Sequence, residues 1–281
     1  MILATSLLLY CSADPKTTPD TQAVEADSIP LSNIAATNTV ETRFPTPEGH
    51  RRSPADSGSF AAYLRQLPLL PDSAPVLLYN GRPKARQDVH CAVLDLDTGP
   101  RNLQQCADAV IRLRAEYLFA QKRFTDIHFN FTNGFRAEYA RWRRGERIRV
   151  DGNRVYWAAG RQASNSYTSF RAFLDMVFAY AGTASLEREL KPARPATIQA
   201  GDVWIDGGYP GHAVIVLDVA VQDESGERLF LLAQSYMPAQ QIHVLKNPAD
   251  GSPWFSTAGL DGGLETPEWS FETGQLRRWG D

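Results

Sequence analysis

The sequence is poor in net charge, and this shortage excludes several classes of partner. Its 281 residues include 29 lysines and arginines against 32 aspartates and glutamates, which gives a formal net charge of −3. A chain with this balance has no general electrostatic attraction to nucleic acid or to an anionic membrane surface. The sequence also lacks a phosphate-binding loop, a dinucleotide fingerprint, a nucleic-acid-binding module and internal repeats. We therefore predict no nucleic-acid partner.

Histidine and cysteine are also scarce, which argues against a metal site. The chain has five histidines and three cysteines. His90 lies close in sequence to Asp95 and Asp97, but on an extended strand the two carboxylates would point to one side and the imidazole to the other. His128 and His243 are isolated in the sequence. We predict neither a metal nor a cofactor.

An apolar run at the N-terminus is too short to cross a bilayer, and it stops just before Cys11. Small and polar residues follow, so that residues 1–11 resemble a bacterial lipoprotein signal. The resemblance implies acylation of Cys11 and a place in the bacterial cell envelope, with membrane contact through the lipid anchor only. The alternative is an ordinary disordered start.

The rest of the chain divides into a polar segment and a domain. Residues 12–57 are dominated by Thr, Pro, Ala, Ser, Asp and Glu, which predicts a disordered tether. The overall composition, 43% hydrophobic and 22% charged, is typical of a soluble globular protein. Residues 58–281 are therefore predicted to form a single globular domain, with an aromatic-rich insertion near residues 125–165.

Hydrophobic periodicity and turn residues predict the elements of this domain. The predicted helices cover residues 59–65, 102–121, 135–144 and 167–181. The predicted strands cover residues 76–79, 89–94, 203–205, 213–219, 229–234 and 242–245, with a further hairpin around residues 151–153. In the strand at 213–219, both alternating sets of side chains are apolar, so that both of its faces are expected to be buried. This is typical of a central strand under helices. The tail from Trp254 to Trp279 is predicted to be irregular, with its aromatic side chains packed on the body of the domain.

His212 stands at the start of one of these strands. It follows a turn rich in glycine and proline, between apolar runs at 203–205 and 213–219. An imidazole has an ordinary pKa of about 6.5, which suits a general base near neutral pH. The alternative is a histidine that only hydrogen-bonds a neighbouring loop.

The surroundings of His212 resemble a known group of enzymes. A Gly201-Asp202 strand, a strand that begins with His212 and a following strand that ends in Gln234 are similar to the NlpC and CHAP type cell-wall peptidases and amidases. The resemblance covers residues 167–235 and implies a papain-like α+β fold, with helices packed on a mixed, mainly antiparallel sheet. It also implies that His212 is the catalytic base and that Gln234 orients it.

The whole chain further resembles an uncharacterised family of bacterial envelope lipoproteins. The similarity lies in residues 103–110 and 231–240, and it implies no activity.

The helix that would carry the family's catalytic cysteine has none, since residues 166–169 read Ser-Tyr-Thr-Ser. A tyrosine phenol, with a pKa near 10, is a poor nucleophile for acyl transfer. One hypothesis is therefore a degenerate hydrolase cleft that binds cell-wall peptide or a similar small polar ligand without cleaving it. The ligand-binding candidates are Tyr167, Ser169, Asp202 and Tyr209.

The second hypothesis is an active cysteine peptidase or amidase that uses Cys106 and His212. Cys106 lies near the start of the helix predicted at 102–121, and Gln104 or Gln105 is a candidate donor to the oxyanion, by analogy with papain-like enzymes. The alternative is that Cys106 is an ordinary core residue, because it shares a helix face with apolar side chains. A disulfide with Cys91 would exclude the mechanism.

Overall fold

The α-helices of the described residues end at Glu189, and most of the main sheet lies in the last third of the chain. The structure is a computed structural model that describes residues 38–280. The α-helices in these residues are α1 (Val40–Arg43), α2 (Phe60–Arg65), α3 (Cys106–Ala120), α4 (Tyr139–Arg143), α5 (Tyr167–Tyr180) and α6 (Thr183–Glu189). The strands are β1 (His50–Arg52), β2 (His90–Val93), β3 (His128–Asn130), β4 (Arg136–Glu138), β5 (Glu146–Asp151), β6 (Arg154–Ala159), β7 (Lys191–Pro192), β8 (Val203–Asp206), β9 (His212–Gln222), β10 (Arg228–Gln234), β11 (His243–Leu245), β12 (Trp254–Ser256), β13 (Leu264–Glu265), β14 (Ser270–Phe271) and β15 (Leu276–Arg278).

Nine of the described strands form one antiparallel sheet. Its main path runs β2-β11-β10-β9-β8-β15-β7, and β1 and β12 pair with β9 and β10 respectively. The central strand β9 is buried on both faces, as the sequence predicts. Ala213 and Ile215 pack toward the helices, whereas Val214 and Val216 pack toward the C-terminal segment on the other face. The fold class is therefore α+β, with helices on an antiparallel sheet and not on the mixed sheet that the resemblance implies, since every strand pair of the main sheet is antiparallel.

Helix α3 packs on β9 and is buried on nearly all sides. The fully buried guanidinium of Arg112 donates to Glu116 Oε1 at 2.6 Å and to Gln104 Oε1 at 3.0 Å. The Tyr167 hydroxyl, at the start of α5, donates to the same Glu116 oxygen at 2.7 Å. The buried positive charge is thus matched by a carboxylate, and this network joins α3 to α5 and to the loop before α3.

The fold begins earlier than the sequence indicates. Helix α1 packs in the core, and β1 pairs with β9. Arg52 of β1 forms an ion pair with the buried Asp218. The tether prediction is therefore wrong over residues 38–57, because that segment is held by strand pairing and ion pairs and not by an apolar period. Residues 12–37 and the predicted signal at 1–11 lie outside the described residues.

Other local predictions divide into confirmed and corrected ones. The helices α2, α3 and α5 and the strands β2, β8, β9, β10 and β11 confirm predicted elements, as does the β5-β6 hairpin. The predicted strand at 76–79 makes only isolated bridges, and the predicted helix at 135–144 is split into β4 and α4. The tail is not irregular, because β15 joins the main sheet beside β8. Three-residue strands such as β15 are too short to give a periodic signal.

Within residues 38–280, no helix combines the length and the apolar character needed to cross a membrane.

Candidate active site

Three polar side chains meet at one end of the main sheet. Strand β9 begins with His212, β10 ends with Gln234, and β11 begins with His243. Because β9 and β10 are antiparallel neighbours, the first residues of one lie beside the last residues of the other. Gln234 pairs in turn with His243 across β10 and β11. All three side chains are buried.

The His212 imidazole is held by one hydrogen bond and by aromatic rings. Its Nε2 donates to Gln234 Oε1 at 2.7 Å, so that the structure brings together the predicted base and its predicted orienting residue. The ring centroids of Tyr236, Trp269 and Phe271 lie 5.0, 5.4 and 6.0 Å from that of His212. Burial lowers the pKa of His212 to about 4, so the ring is neutral near pH 7.

The loop before α3 is fastened to the loop after β10. The Ser235 hydroxyl donates to the carbonyl oxygen of Gln104 at 2.9 Å. The backbone N–H of Ala239 donates to Asn102 Oδ1 at 2.7 Å. These two bonds hold Cys106, the first residue of α3, at the end of the sheet where Gln234 lies.

The Cys106 thiol lies beside strand β9. The backbone N–H of Ala213, the residue after His212, is close enough to the sulfur to lower the pKa of the thiol. Two larger effects act in the other direction: burial first, and then the negative charge of Asp108. Together they raise the pKa of Cys106 to about 11. This end of the sheet therefore holds a neutral thiol and a neutral imidazole.

Gln104 supplies a buried hydrogen-bond donor. Its side chain is fully buried, and its Oε1 is occupied by Arg112. Its Nε2 has no partner within residues 38–280. Buried polar groups are almost always hydrogen-bonded, so this amide is a candidate for binding a ligand oxygen. Gln105, the other candidate, is the N-cap of α3, and its backbone N–H donates to Asp108 Oδ2 at 2.9 Å.

A protein-family model spans nearly all of the described residues. The model, described as "Domain of unknown function (4846)", matches residues 40–278. The chain belongs to this family. The match begins within α1, in agreement with the early start of the fold, and it includes Cys106, His212 and Gln234. No curated protein and no solved structure matches the chain.

Two of the predicted ligand-binding residues in this family member lie on α5, away from His212. The Tyr167 hydroxyl donates to Glu116. Since an α-helix rises 1.5 Å per residue, Glu116 lies roughly 15 Å from Cys106 along the axis of α3. The Ser169 hydroxyl is buried without a partner in the described residues, and the Ser169 carbonyl accepts from the indole of Trp142 at 3.0 Å. Both residues serve the packing between α3, α4 and α5. The N-terminus of α3, and not that of α5, faces the sheet end.

Asp202 is likewise remote from the site. It precedes β8, whereas His212 pairs with Asp206 at the other end of that strand. Its carboxylate accepts from Arg278 at 2.7 Å, which explains how a fully buried aspartate is tolerated. Tyr209, by contrast, lies in the turn that leads into His212, and its side chain is 99% exposed.

The two cysteines of the described domain are not bridged. Both Cys91 and Cys106 are free, and the Cys91 thiol donates to the carbonyl of Leu245 at 3.5 Å. The predicted lipidation residue, Cys11, lies outside the described residues. In the part of the chain that the structure describes, no group of three or more histidine, cysteine, aspartate or glutamate side chains is arranged to hold a metal ion.

Sequence reasoning missed the side chains behind Gln234. Its Nε2 donates to Glu268 Oε2 at 2.7 Å, and Lys84 Nζ donates to Glu268 Oε1 at 2.7 Å. The same amide nitrogen lies 3.4 Å from His243 Nε2. Lys84 and Glu268 come from segments without regular structure, far from Gln234 in the chain. No local pattern in the sequence links them.

Proposed function

We propose that the protein is a cysteine hydrolase that cleaves amide bonds, with Cys106 as nucleophile and His212 as general base. The observation that carries the proposal is the 2.9 Å hydrogen bond from the Ser235 hydroxyl to the Gln104 carbonyl oxygen, which fastens the N-terminus of α3 to the sheet end that holds His212 and Gln234. A thiol at a helix N-terminus and an oriented imidazole at the same end of the sheet are the two groups that thiol acyl transfer needs.

The proposed reaction starts from a neutral Cys106 thiol and a neutral His212 imidazole. Nδ1 of His212 accepts the thiol proton as the sulfur attacks the amide carbonyl carbon. The imidazolium then gives this proton to the leaving amine as the C–N bond breaks, which leaves a thioester on Cys106. In the second half, Nδ1 takes a proton from water, the hydroxide attacks the thioester, and the thiol is regenerated with release of the carboxylic acid.

Gln104 is the proposed oxyanion donor. Its buried Nε2 has a hydrogen available, and it stands two residues before the nucleophile. N–H groups in the first turn of α3 add positive partial charge at the same place. Donors that are fixed before the reaction stabilise the oxyanion strongly, because no reorganisation is needed.

The order of the catalytic groups also supports a papain-like fold. A cysteine opens a helix that packs on an antiparallel sheet, a histidine opens a strand, and a polar orienting residue ends the next strand. The resemblance to cell-wall peptidases and amidases leads us to propose cell-wall peptide as substrate and the bacterial envelope as location, with Cys11 as lipid anchor. Tyr209 and Met237, which is 53% exposed, flank the strand ends and are proposed to contact this peptide.

A binding protein with a degenerate cleft is the second candidate. The observation that favours it is the state of the thiol, since Cys106 is only 8% exposed and its pKa is raised to about 11. A buried, protonated thiol of this kind is a structural group in many proteins.

One experiment separates the two functions. The full-length protein is incubated with purified peptidoglycan and with peptides released from it, and mass spectrometry records new products and any acyl group on Cys106. We expect products from the wild type and a loss of at least about 10⁴-fold in turnover for Cys106→Ala.

Cys91→Ala is the matched control, because Cys91 is the other free thiol of the domain. It is expected to keep full turnover. If the wild type binds the peptides and releases no product, and Cys106→Ala binds them equally well, the hydrolase proposal is wrong and the binding function holds.

A further inference from the structure

The amide of Gln234 has two nearly isosteric orientations, and they have opposite consequences for His212. With Oε1 toward the ring, His212 Nε2 carries the proton and Nδ1 has a free lone pair. With Nε2 toward the ring, His212 Nε2 has to accept, and the proton moves to Nδ1. Only the first orientation leaves Nδ1 able to accept the proton of a thiol. Whatever fixes this amide therefore fixes the chemistry of the imidazole.

Glu268 is one of the groups that fix it. As a carboxylate it has acceptor oxygens only, and its Oε2 lies 2.7 Å from Gln234 Nε2. Its other oxygen is occupied by Lys84 Nζ at 2.7 Å, and both side chains are less than one tenth exposed. The flipped orientation would place Gln234 Oε1 against this carboxylate, so that two acceptors would face each other.

His243 fixes the second hydrogen of the same amide nitrogen. Its Nδ1 lies 3.0 Å from the carbonyl oxygen of Gln241, which can only accept, so Nδ1 carries the proton and Nε2 is left as an acceptor. That Nε2 lies 3.4 Å from Gln234 Nε2. Complete burial lowers the pKa of His243 to about 3, which keeps it neutral and available as an acceptor. Both hydrogens of the Gln234 amide thus point away from His212.

We propose that Glu268, held in place by Lys84, is a positioning residue that orients the Gln234 amide and so sets His212 in the tautomer with the proton on Nε2. The inference deepens the proposed function and rests on it for its catalytic consequence. The tautomer itself is a property of the folded protein whether or not turnover occurs. Glu268 acts on the general base His212 through one intervening side chain, Gln234.

The test measures the tautomer directly. Full-length protein labelled with ¹⁵N in histidine is studied by NMR near pH 7, with the His212 signals assigned by their loss in His212→Asn. We expect the wild type to carry its proton on Nε2. Glu268→Gln introduces an amide that accepts a flipped Gln234, so we expect the Nδ1–H tautomer to appear. In the peptide assay we expect kcat to fall at least about tenfold, with KM unchanged. The fall should not exceed the 10²–10⁴-fold that a positioned base contributes in full.

Two further variants test whether the effect of Glu268→Gln comes from the lost carboxylate or from a general change in structure. Glu268→Asp keeps an acceptor-only group and is expected to retain the Nε2–H tautomer. Glu265→Gln is the matched control, since Glu265 is exposed in β13 near the same segment and bonds only to Ser270 among the described side chains. It is expected to change neither the tautomer nor kcat.

The outcomes separate this inference from the proposed function. A wild type with the proton on Nδ1 overturns the inference even if no variant folds. A folded Glu268→Gln that keeps the wild-type tautomer also overturns it, while turnover by the wild type would still support the hydrolase. Absence of turnover with the expected tautomer change overturns the hydrolase proposal alone.

Discussion

Strand β9 carries two buried polar clusters that are built in opposite ways. Around Asp218 the carboxylate is matched by ion pairs with Arg52 and Arg65, the latter at 2.6 Å, and by the N–H of Val219 at 2.9 Å. Around His212 the thiol and the imidazole are neutral, and nearby buried atoms such as Gln104 Nε2 have no partner in the described residues. In the first cluster every buried charge has a partner, so desolvation is compensated, whereas unpaired buried groups as in the second cost stability and are typical of functional sites.

Asp218→Asn should give the largest loss of stability. It leaves the buried Arg65 and the neighbouring Arg52 without their carboxylate, and breaking a buried ion pair costs about 3–5 kcal/mol. Urea denaturation measures this loss. Turnover per folded molecule should stay at the wild-type value, because the cluster lies away from the thiol.

His212→Ala is the matched change at the other end of the same strand. It should lower turnover by about 10²–10⁴-fold, with a smaller loss of unfolding free energy than Asp218→Asn. If the folded fraction of Asp218→Asn is also inactive, or if His212→Ala destabilises the protein as strongly, the division into a structural and a chemical cluster is wrong.

Gln104→Glu sharpens the comparison, because it keeps an acceptor for Arg112 while it removes the donor. We expect kcat to fall by about 10²–10³-fold, the usual effect of losing one oxyanion donor. Because the new carboxylate is fully buried with only one oxygen paired to Arg112, the free energy of unfolding should fall, and kcat is therefore measured per folded molecule. Unchanged kcat in peptide hydrolysis, with the variant folded by circular dichroism, would remove Gln104 from the mechanism.

The pH dependence of stability tests the neutral state of the His212 ring. The pKa of His212 is about 4 in the folded protein against an ordinary value of about 6.5, so the neutral ring contributes fully above pH 6.5. This contribution is lost as the pH falls from 6.5 to 4, at about 1.4 kcal/mol per pH unit. His212→Ala should lack this part of the dependence. Urea midpoints for the two proteins at pH 7, 5.5 and 4.5 test it, and parallel curves would contradict the lowered pKa.

Part of the site was predictable because it is encoded locally. The turn before His212 and the apolar run of β9 are short-range patterns that marked the candidate base, and the resemblance to cell-wall peptidases and amidases implied its pairing with Gln234. The start of α3 was also predicted closely enough to make Cys106 a candidate.

The other parts depend on long-range contacts. The choice between the N-termini of α3 and α5 as the partner of His212 was not decided by sequence, because an insertion separates Cys106 from the sheet. Tyr167 stands where the family carries its cysteine in the chain, but in the structure its hydroxyl binds Glu116, away from His212. Glu268 and Lys84 gave no signal, because each lies in a loop and its contacts are with residues far away in the chain.

The sequence by itself determined the antiparallel strands around β9, the main helices and the nature of the candidate base, because periodicity and turn chemistry act over a few residues. The tertiary structure decided which cysteine lies at the same end of the sheet as His212, which side chains contact Gln234, and which buried carboxylates pair with arginine. These outcomes depend on how distant segments pack, and packing of that kind leaves no period in a single sequence.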